Sequence, residues 1–504
     1  MAKEAAFAAV DLGAESGRVI VGTLQSGQVQ LEPAHRFANV PVRTPDGLHW
    51  DVLRLYNEIL HGLHSAARVH GDALIGVGID TWGVDYGLID AGGRLLGMPY
   101  HYRDVRTDGI AGEAAERVSA SEQYARTGIA QLPINTLYQL LAQRKTDDRT
   151  LDLAQSLLMM PDLLHYWLTG LQSSEYTVAS TSGALGVDGR WATDLLDRLD
   201  LPTHIFLPPT PPGTVLGGLG PAVRDECGPL RARVILPATH DTACAVVAVP
   251  AVPHQPGVSH AYISSGTWSL FGLELDHPVL GEQERLSGLT NEGGVGGTYN
   301  VLNNIMGLWL LQECRRSWAR QGQEWTYEEL SGLASEATSP GAIVDVDDPA
   351  FLHPDNMPAA IARHLQRTGQ EPVEQAALVV RAVLEGLALA YRVALERVER
   401  LAGIRVDTIH VVGGGAGNGL LCQLTADACR RPVLAGPEEA TALGNVLVQA
   451  MGAGEIRDLA EAHAVARSST ELVVYEPRED ADWDDRAQRL RAQRDYPVTG
   501  AARR

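Results

Sequence analysis

At 504 residues the chain exceeds what one hydrophobic core usually supports, so two large domains are expected. Hydrophobic residues make up 45% and charged residues 20%, the balance of a globular protein. The 62 acidic against 41 basic residues leave a formal net charge of -21, which excludes a positive nucleic-acid-binding surface; any polyanionic ligand must be met by local donors and a metal.

The N-terminus opens with two apolar runs, FAAVDLG and RVIVGTL, around a glycine-containing turn, which reads as a hairpin. Its first run is too short, and too soon interrupted by Asp11, for a secretory signal. A third strand is expected over Val29–Phe37. An amphipathic helix over Val52–Val69 follows, with Asp51 as its N-cap. Leu74–Asp80 reads as a strand and Tyr86–Asp90 as the arm of a second hairpin. Pro208–Gly220 reads as a loop, and Pro250–Gly257 as the linker between domains. A hairpin is expected again at Ala261–Ser264 and Trp268–Leu275. A long helix over Val373–Leu401 ends at Gly403, and a β-branched strand over Val406–Val412 runs into Gly413, Gly414 and Gly415. Its apolar stretch, Ala376–Ala394, is broken by Arg381, Glu385 and Arg392, so it reads as amphipathic and not as a membrane span. This is an internal repeat of architecture, α/β in both halves. The domains are expected at 1–250 and 251–480, with 481–504 a charged peripheral tail. Five cysteines without a CxxC pair point to a reduced, cytoplasmic compartment and to buried apolar thiols.

Four segments carry chemistry. The first is Asp11-Leu12-Gly13-Ala14-Glu15-Ser16-Gly17-Arg18, a carboxylate at the end of a buried strand followed by a small-residue turn. Such a turn can offer N–H groups to phosphate oxygens, and Asp11 can hold Mg²⁺ directly or through water; a plain hairpin with a polar turn explains the string equally. The GxxxxGK[ST] loop is missing. The second is Thr239-His240-Asp241-Thr242 between an apolar strand and a small-residue segment. Asp241 is either a helix N-cap or a general base, and the two roles are compatible. The third is Ser264-Ser265-Gly266-Thr267-Trp268-Ser269, a hairpin turn with hydroxyls. The fourth is the run Gly413–Gly417 before Asn418, where backbone can approach a flat ligand closely. The acidic residue that a dinucleotide fold requires is not evident, because Glu438 and Glu439 precede a helix.

Taken together, these segments resemble the FGGY carbohydrate kinases, within the superfamily of actin, hexokinase and the heat-shock chaperones, from Val10 to about Ala450. The resemblance implies two ribonuclease-H-like (actin-like ATPase) domains with an active cleft between them, the first mainly for sugar and the second mainly for ATP. A narrower likeness rests on GIDTWGVDYGLID, YRDVRT, NTLYQL, HDTACAV, SSGTWSL, TNEGG and LNNIMGLWLLQ. It implies a kinase of a 6-deoxy-ketohexose acting on the 1-hydroxyl. By the same likeness Ala14, Glu15, Ser16, Gly17 and Arg18 line the ATP phosphates, and Thr267, Gln312 and Gly414 bind ATP. Gly83, His240, Asp241, Thr242 and Asn304 hold the sugar, and Asp241 accepts its proton. Glu15 departs from the small hydroxylic residue common there, so it is expected to contribute backbone or to point outward. Mg²⁺ is expected near Asp11, with no membrane or nucleic-acid partner and a monomer or homodimer as the assembly. Trp82 reads as a core wall or a sugar platform, Trp309 as core, and Tyr100, His101, Arg103 and Asp104 as sugar contacts or surface pairs. The alternatives are a kinase of xylulose, fuculose or another ketose or polyol, a non-catalytic sugar sensor, and a chaperone-like ATPase.

Overall fold

The computed structural model describes residues 5–146, 149–228, 230–251, 259–352, 354–479 and 482–495. Within it the chain divides into two compact units. The first is Met1–His254 with Leu273–Leu302 and Glu439–Glu471; the second is Gln255–Gly272, Asn303–Glu438 and Leu472–Arg504. The main segment of the first unit ends close to the expected division at residue 250, but two later segments return to it. Most of the expected linker, residues 252–257, lies outside the described residues.

The first unit is built on a six-stranded sheet in the order Gln28–Ala38, Ser16–Gln25, Ala5–Leu12, Leu74–Thr81, Arg233–Ile235, Val215–Gly218. The opening hairpin is antiparallel, and Ala5–Leu12 then runs parallel to Leu74–Thr81. Ala5–Leu12 is buried along its whole length, which explains its unbroken apolar run in place of an alternating one. Helix Val52–His70 starts where expected, with the Asp51 side chain accepting from Arg54 N. It packs on the hairpin strands, and Met160–Thr169 packs beside Leu74–Thr81. Helix Ala440–Ala453 also lies against Ala5–Leu12 and Leu74–Thr81, and packs closely with Asp241–Val247. Gly444 makes that approach possible, because a Cβ there would sit 1.8 Å from Cys244 O.

Tyr86–Ile89 is a strand, but not an arm of a hairpin with Leu74–Thr81. It pairs antiparallel with Ser156–Met159 in a separate two-stranded sheet. The chain leaves the main sheet at Val84, whose φ of 68° is a left-handed conformation that costs a β-branched residue strain. Pro208–Gly220 is mostly loop, as read, with the short strand Val215–Gly218 inside it.

Trp268–Leu275, His260–Ser265, Thr408–Val412, Val433–Ala435 and Val473–Tyr475 lie side by side in that order in a seven-stranded sheet. The hairpin is antiparallel, and His260–Ser265 is parallel to Thr408–Val412, so the plan of the first unit recurs. The long helix is Ala376–Ala402, and Gly403 caps it in the left-handed region at φ 68°. All five cysteines are buried and free. The charged segment near the C-terminus contains helix Asp482–Asp495, whose Trp483, Ala487 and Leu490 are buried. No helix among the described residues is long and apolar enough to cross a membrane.

Candidate active site

Parallel register places Asp11 directly opposite Asp80, and the hairpin places Arg18 opposite Asp11 on its other side. Arg18 Nε and Nη2 donate to Asp11 Oδ2 at 2.9 and 2.6 Å, and Nε lies 3.2 Å from Glu439 Oε2. The Asp11 carboxylate, and secondarily Glu439, hold the guanidinium more firmly charged against the cost of burial. Asp80 is fully buried. Asn445 Nδ2 donates to its Oδ2 at 2.6 Å, while Oδ1 has no hydrogen-bond partner. Burial, and then the charges of Asp11 and Asp241, push the Asp80 carboxyl well above the usual range.

The turn after Asp11 is anchored by its backbone. Gly13 N donates to Ser16 O, Asn39 N to Glu15 O, and Asn39 Nδ2 to Gly13 O, all within 2.8–2.9 Å. Ala14 and Glu15 are half-buried and Ser16 is exposed. Gly17 is buried under the Phe37 ring, where a Cβ would come within 2.3 Å of Cζ. Packing therefore explains that glycine, and Arg18 pairs with Asp11 and Glu439.

Asp241 is the first residue of helix Asp241–Val247, and the N-cap position falls to His240. The Asp241 side chain is 31% exposed amid buried neighbours. Thr242 N donates to Asp241 Oδ1 at 2.6 Å, and Thr242 Oγ1 does so at 3.2 Å. His240 stands between two carboxylates, with Nε2 3.4 Å from Asp241 Oδ1 and Nδ1 3.2 Å from Glu292 Oε2. Burial disfavours its charge, yet Glu292 and then Asp241 outweigh burial and raise its pKa. The Asp241 carboxyl is also raised, first by the surrounding protein and then by Asp11, with His240 opposing.

The loop carrying these residues hangs on Glu175. Its buried Oε2 accepts from Thr239 Oγ1 at 2.6 Å, Thr239 N at 3.2 Å and Thr177 Oγ1 at 2.6 Å. Thr81 N donates to Thr239 O at 3.0 Å, which ties the loop to the end of the Leu74–Thr81 strand. Two residues on, Gly83 lies against Thr181, whose Oγ1 would be 2.8 Å from a Cβ. Thr181 Oγ1 also accepts from Val84 N, and Thr136 Oγ1 donates to Val84 O, so the strained turn is held from both sides. Trp82 is core: it stacks near Trp50 with centroids 3.9 Å apart, and both indole N–H groups donate to buried Asp85. His101, Arg103 and Asp104 are buried too, with His101 stacked on Trp50, so they are not surface pairs.

The second unit gathers three further residues. Thr267 is in the turn of its hairpin. Thr267 O accepts from Gly307 N and Trp309 N, which brings the start of helix Trp309–Ala319, and hence Gln312, to that turn. Gly413 and Gly415 pack on Ser265, where a Cβ would come within 3.0 and 2.0 Å, while Gly414 borders open space. Asn304 is a half-buried residue of strand Tyr299–Met306 in the same unit. Trp309 is half-buried rather than core, its Nε1 donating to Phe351 O at 3.0 Å.

Sequence reasoning missed Asp80, Glu175, Glu292 and Asn445. Asp80 and Glu292 lay inside strings already singled out, GIDTWGVDYGLID and TNEGG; Glu175 and Asn445 carried no local signal beyond a carboxylate or amide among apolar residues.

Comparison with known proteins identifies the family. Residues 6–248 match the N-terminal domain model, and 261–453 the C-terminal domain model, of the FGGY family of carbohydrate kinases. The chain is 41% identical over 479 residues to a rhamnulokinase of Bacteroides thetaiotaomicron, covering 95% of this chain and 97% of that one. It is 40% identical over 468 residues to a rhamnulokinase of Oceanobacillus iheyensis, covering 93% and 97%. Among solved structures, gluconate kinase from Lactobacillus acidophilus matches at TM-score 0.75 with 16% identity, covering 97% of this chain and 96% of that one. Xylulose kinase from Rhodospirillum rubrum matches at 0.73 with 18% identity, covering 97% and 98%; these two speak for the fold alone. With both domain models matched and the twofold sheet plan in place, the chain belongs to the FGGY family of carbohydrate kinases.

Proposed function

We propose that the chain transfers the γ-phosphoryl group of ATP to the 1-hydroxyl of L-rhamnulose, giving L-rhamnulose 1-phosphate and ADP, in the cytoplasm. The observation that carries the substrate is the near-full-length identity of about two residues in five with rhamnulokinases. Asp241 accepts the proton of the sugar 1-hydroxyl. The oxygen then forms a bond to the γ-phosphorus as the bond to the β–γ bridging oxygen breaks, and ADP leaves. A base with a raised proton affinity suits this step, and a positioned base contributes ~10²–10⁴-fold. His240, held between Glu292 and Asp241, orients the base. Gly83, Thr242 and Asn304 contact the sugar. The Ala14–Arg18 turn, Thr267, Gln312 and Gly414 serve ATP.

Mg²⁺ fits at Asp11 and Asp80. The buried, unpartnered Oδ1 of Asp80 beside a second carboxylate is a donor set that a hard cation satisfies. When bound there it neutralises charge on the phosphates. A panel of L-rhamnulose, L-fuculose and xylulose in a coupled ADP assay tests the reading. Highest kcat/KM is expected on L-rhamnulose; a higher value on either other sugar, or ADP release independent of sugar, overturns it.

A further inference from the structure

Three metal-ligating side chains converge where none of the residues discussed above takes part. One ligand atom each from His35, Glu58 and His61 all lie within 4.8 Å of one another, and His35 Nε2 is 2.6 Å from Glu58 Oε2. His35 and Glu58 are half-buried and His61 is exposed, so an ion from solvent reaches them.

The fold builds this convergence. Glu58 and His61 are three apart on helix Val52–His70 and share a face. Gly62 lets that helix lie directly on the sheet: a Cβ there would be 2.2 Å from Val19 Cγ2 and 3.3 Å from His35 Cβ. The edge strand contributes a bulge. Val19 pairs with His35 but Ile20 pairs with Pro33, which leaves Ala34 unpaired at the residue next to His35. Bulges of this kind re-aim a side chain. Phe37 packs beside the His35 ring at 5.4 Å between centroids. Arg54 Nε approaches Glu58 at Oε1, at 3.8 Å, and leaves Oε2 to His35.

We propose that His35, Glu58 and His61 form a Zn²⁺ site, with water in the fourth position. Two imidazoles and one carboxylate suit Zn²⁺, whereas Mg²⁺ and Ca²⁺ take oxygen ligands. Ligands of a tetrahedral Zn²⁺ at about 2.1 Å lie roughly 3.4 Å apart, so side-chain rotations complete the set. The hydrogen bond between His35 and Glu58 gives way to coordination, with the neutral His35 ring presenting its Nε2 lone pair to the ion and carrying its proton on Nδ1. The ion ties the edge strand Gln28–Ala38 to the helix that covers it.

The full chain, freed of metal by a chelator and then of the chelator, is titrated with Zn²⁺ alone by calorimetry, without nucleotide. One Zn²⁺ per chain and a raised unfolding temperature are expected. His61→Ala, an exposed substitution that leaves kinase turnover unchanged, is expected to lose at least about tenfold in affinity and the thermal shift. Glu58→Gln is expected to do the same. His64→Ala, one turn along the same helix and outside the cluster, is expected to keep both. Absence of Zn²⁺ binding to the unaltered chain, wild-type affinity in His61→Ala, or equal loss in His64→Ala overturns the proposal.

Discussion

Asp241 feels opposing neighbours: the surrounding protein and Asp11 favour its protonated form, and His240 favours the carboxylate. The balance raises its pKa, and the working form of a base is the unprotonated one. The rate therefore falls as pH drops through the raised value, so the acid limb of kcat/KM is expected above the ordinary aspartate range of about 4. Asp241→Asn removes the proton acceptor but keeps size and shape. It is expected to bind sugar and nucleotide normally while kcat falls ~10²–10⁴-fold and the acid limb disappears. Calorimetric binding alongside steady-state kinetics separates the two effects, and near-normal turnover would remove Asp241 from its role. At this scale, sequence alone left Asp241 between helix cap and base. The structure gives the N-cap position to His240 and leaves the Asp241 side chain partly open to solvent.

Elements carry the next constraint. Helix Asp241–Val247 is only two turns long, so its position depends on what it packs against. Gly444 of helix Ala440–Ala453 meets the Cys244 carbonyl with no room for a methyl group. The same helix sends Asn445 to the Asp80 carboxylate and Gln449 to Ala8 O on the strand that carries Asp11. Gly444→Ala is expected to cost about 1–3 kcal/mol of stability, read from denaturant unfolding, and to lower kcat by shifting the helix that begins at Asp241. The regular elements were legible because each has a local cause: a buried run for Ala5–Leu12, Asp51 and Gly403 for helix ends, glycine turns for the hairpins. The departure of Tyr86–Ile89 from the main sheet was not legible. It depends on Val84 adopting a strained conformation that Thr136 and Thr181 enforce from distant parts of the chain.

At the scale of the whole molecule, the last segment is the main revision. Composition reads it as a charged tail, yet Trp483, Ala487 and Leu490 recur at helical spacing and are buried in the second unit. Arg486 is buried as well, donating to the Glu385 carboxylate at 2.6 Å, with side chains 5% and 1% exposed. Arg381 shares that carboxylate and offsets part of the loss, so Arg486→Ala is expected to cost on the order of 3 kcal/mol. A lowered unfolding midpoint with turnover retained at low temperature checks this; an unchanged midpoint would show the helix to be dispensable. What the sequence by itself determined is what short-range physics encodes: the two hairpins, the glycine run, the mixed α/β class, and motif strings specific enough to point to a kinase family. Only the tertiary structure decided which distant carboxylates share a site. Asp11 meets Asp80 through parallel strand register, His240 meets Glu292 through packing, and Glu175 accepts from Thr239, 64 residues further along the chain. Those pairings depend on how strands align and helices seat, and no local pattern of residues records either.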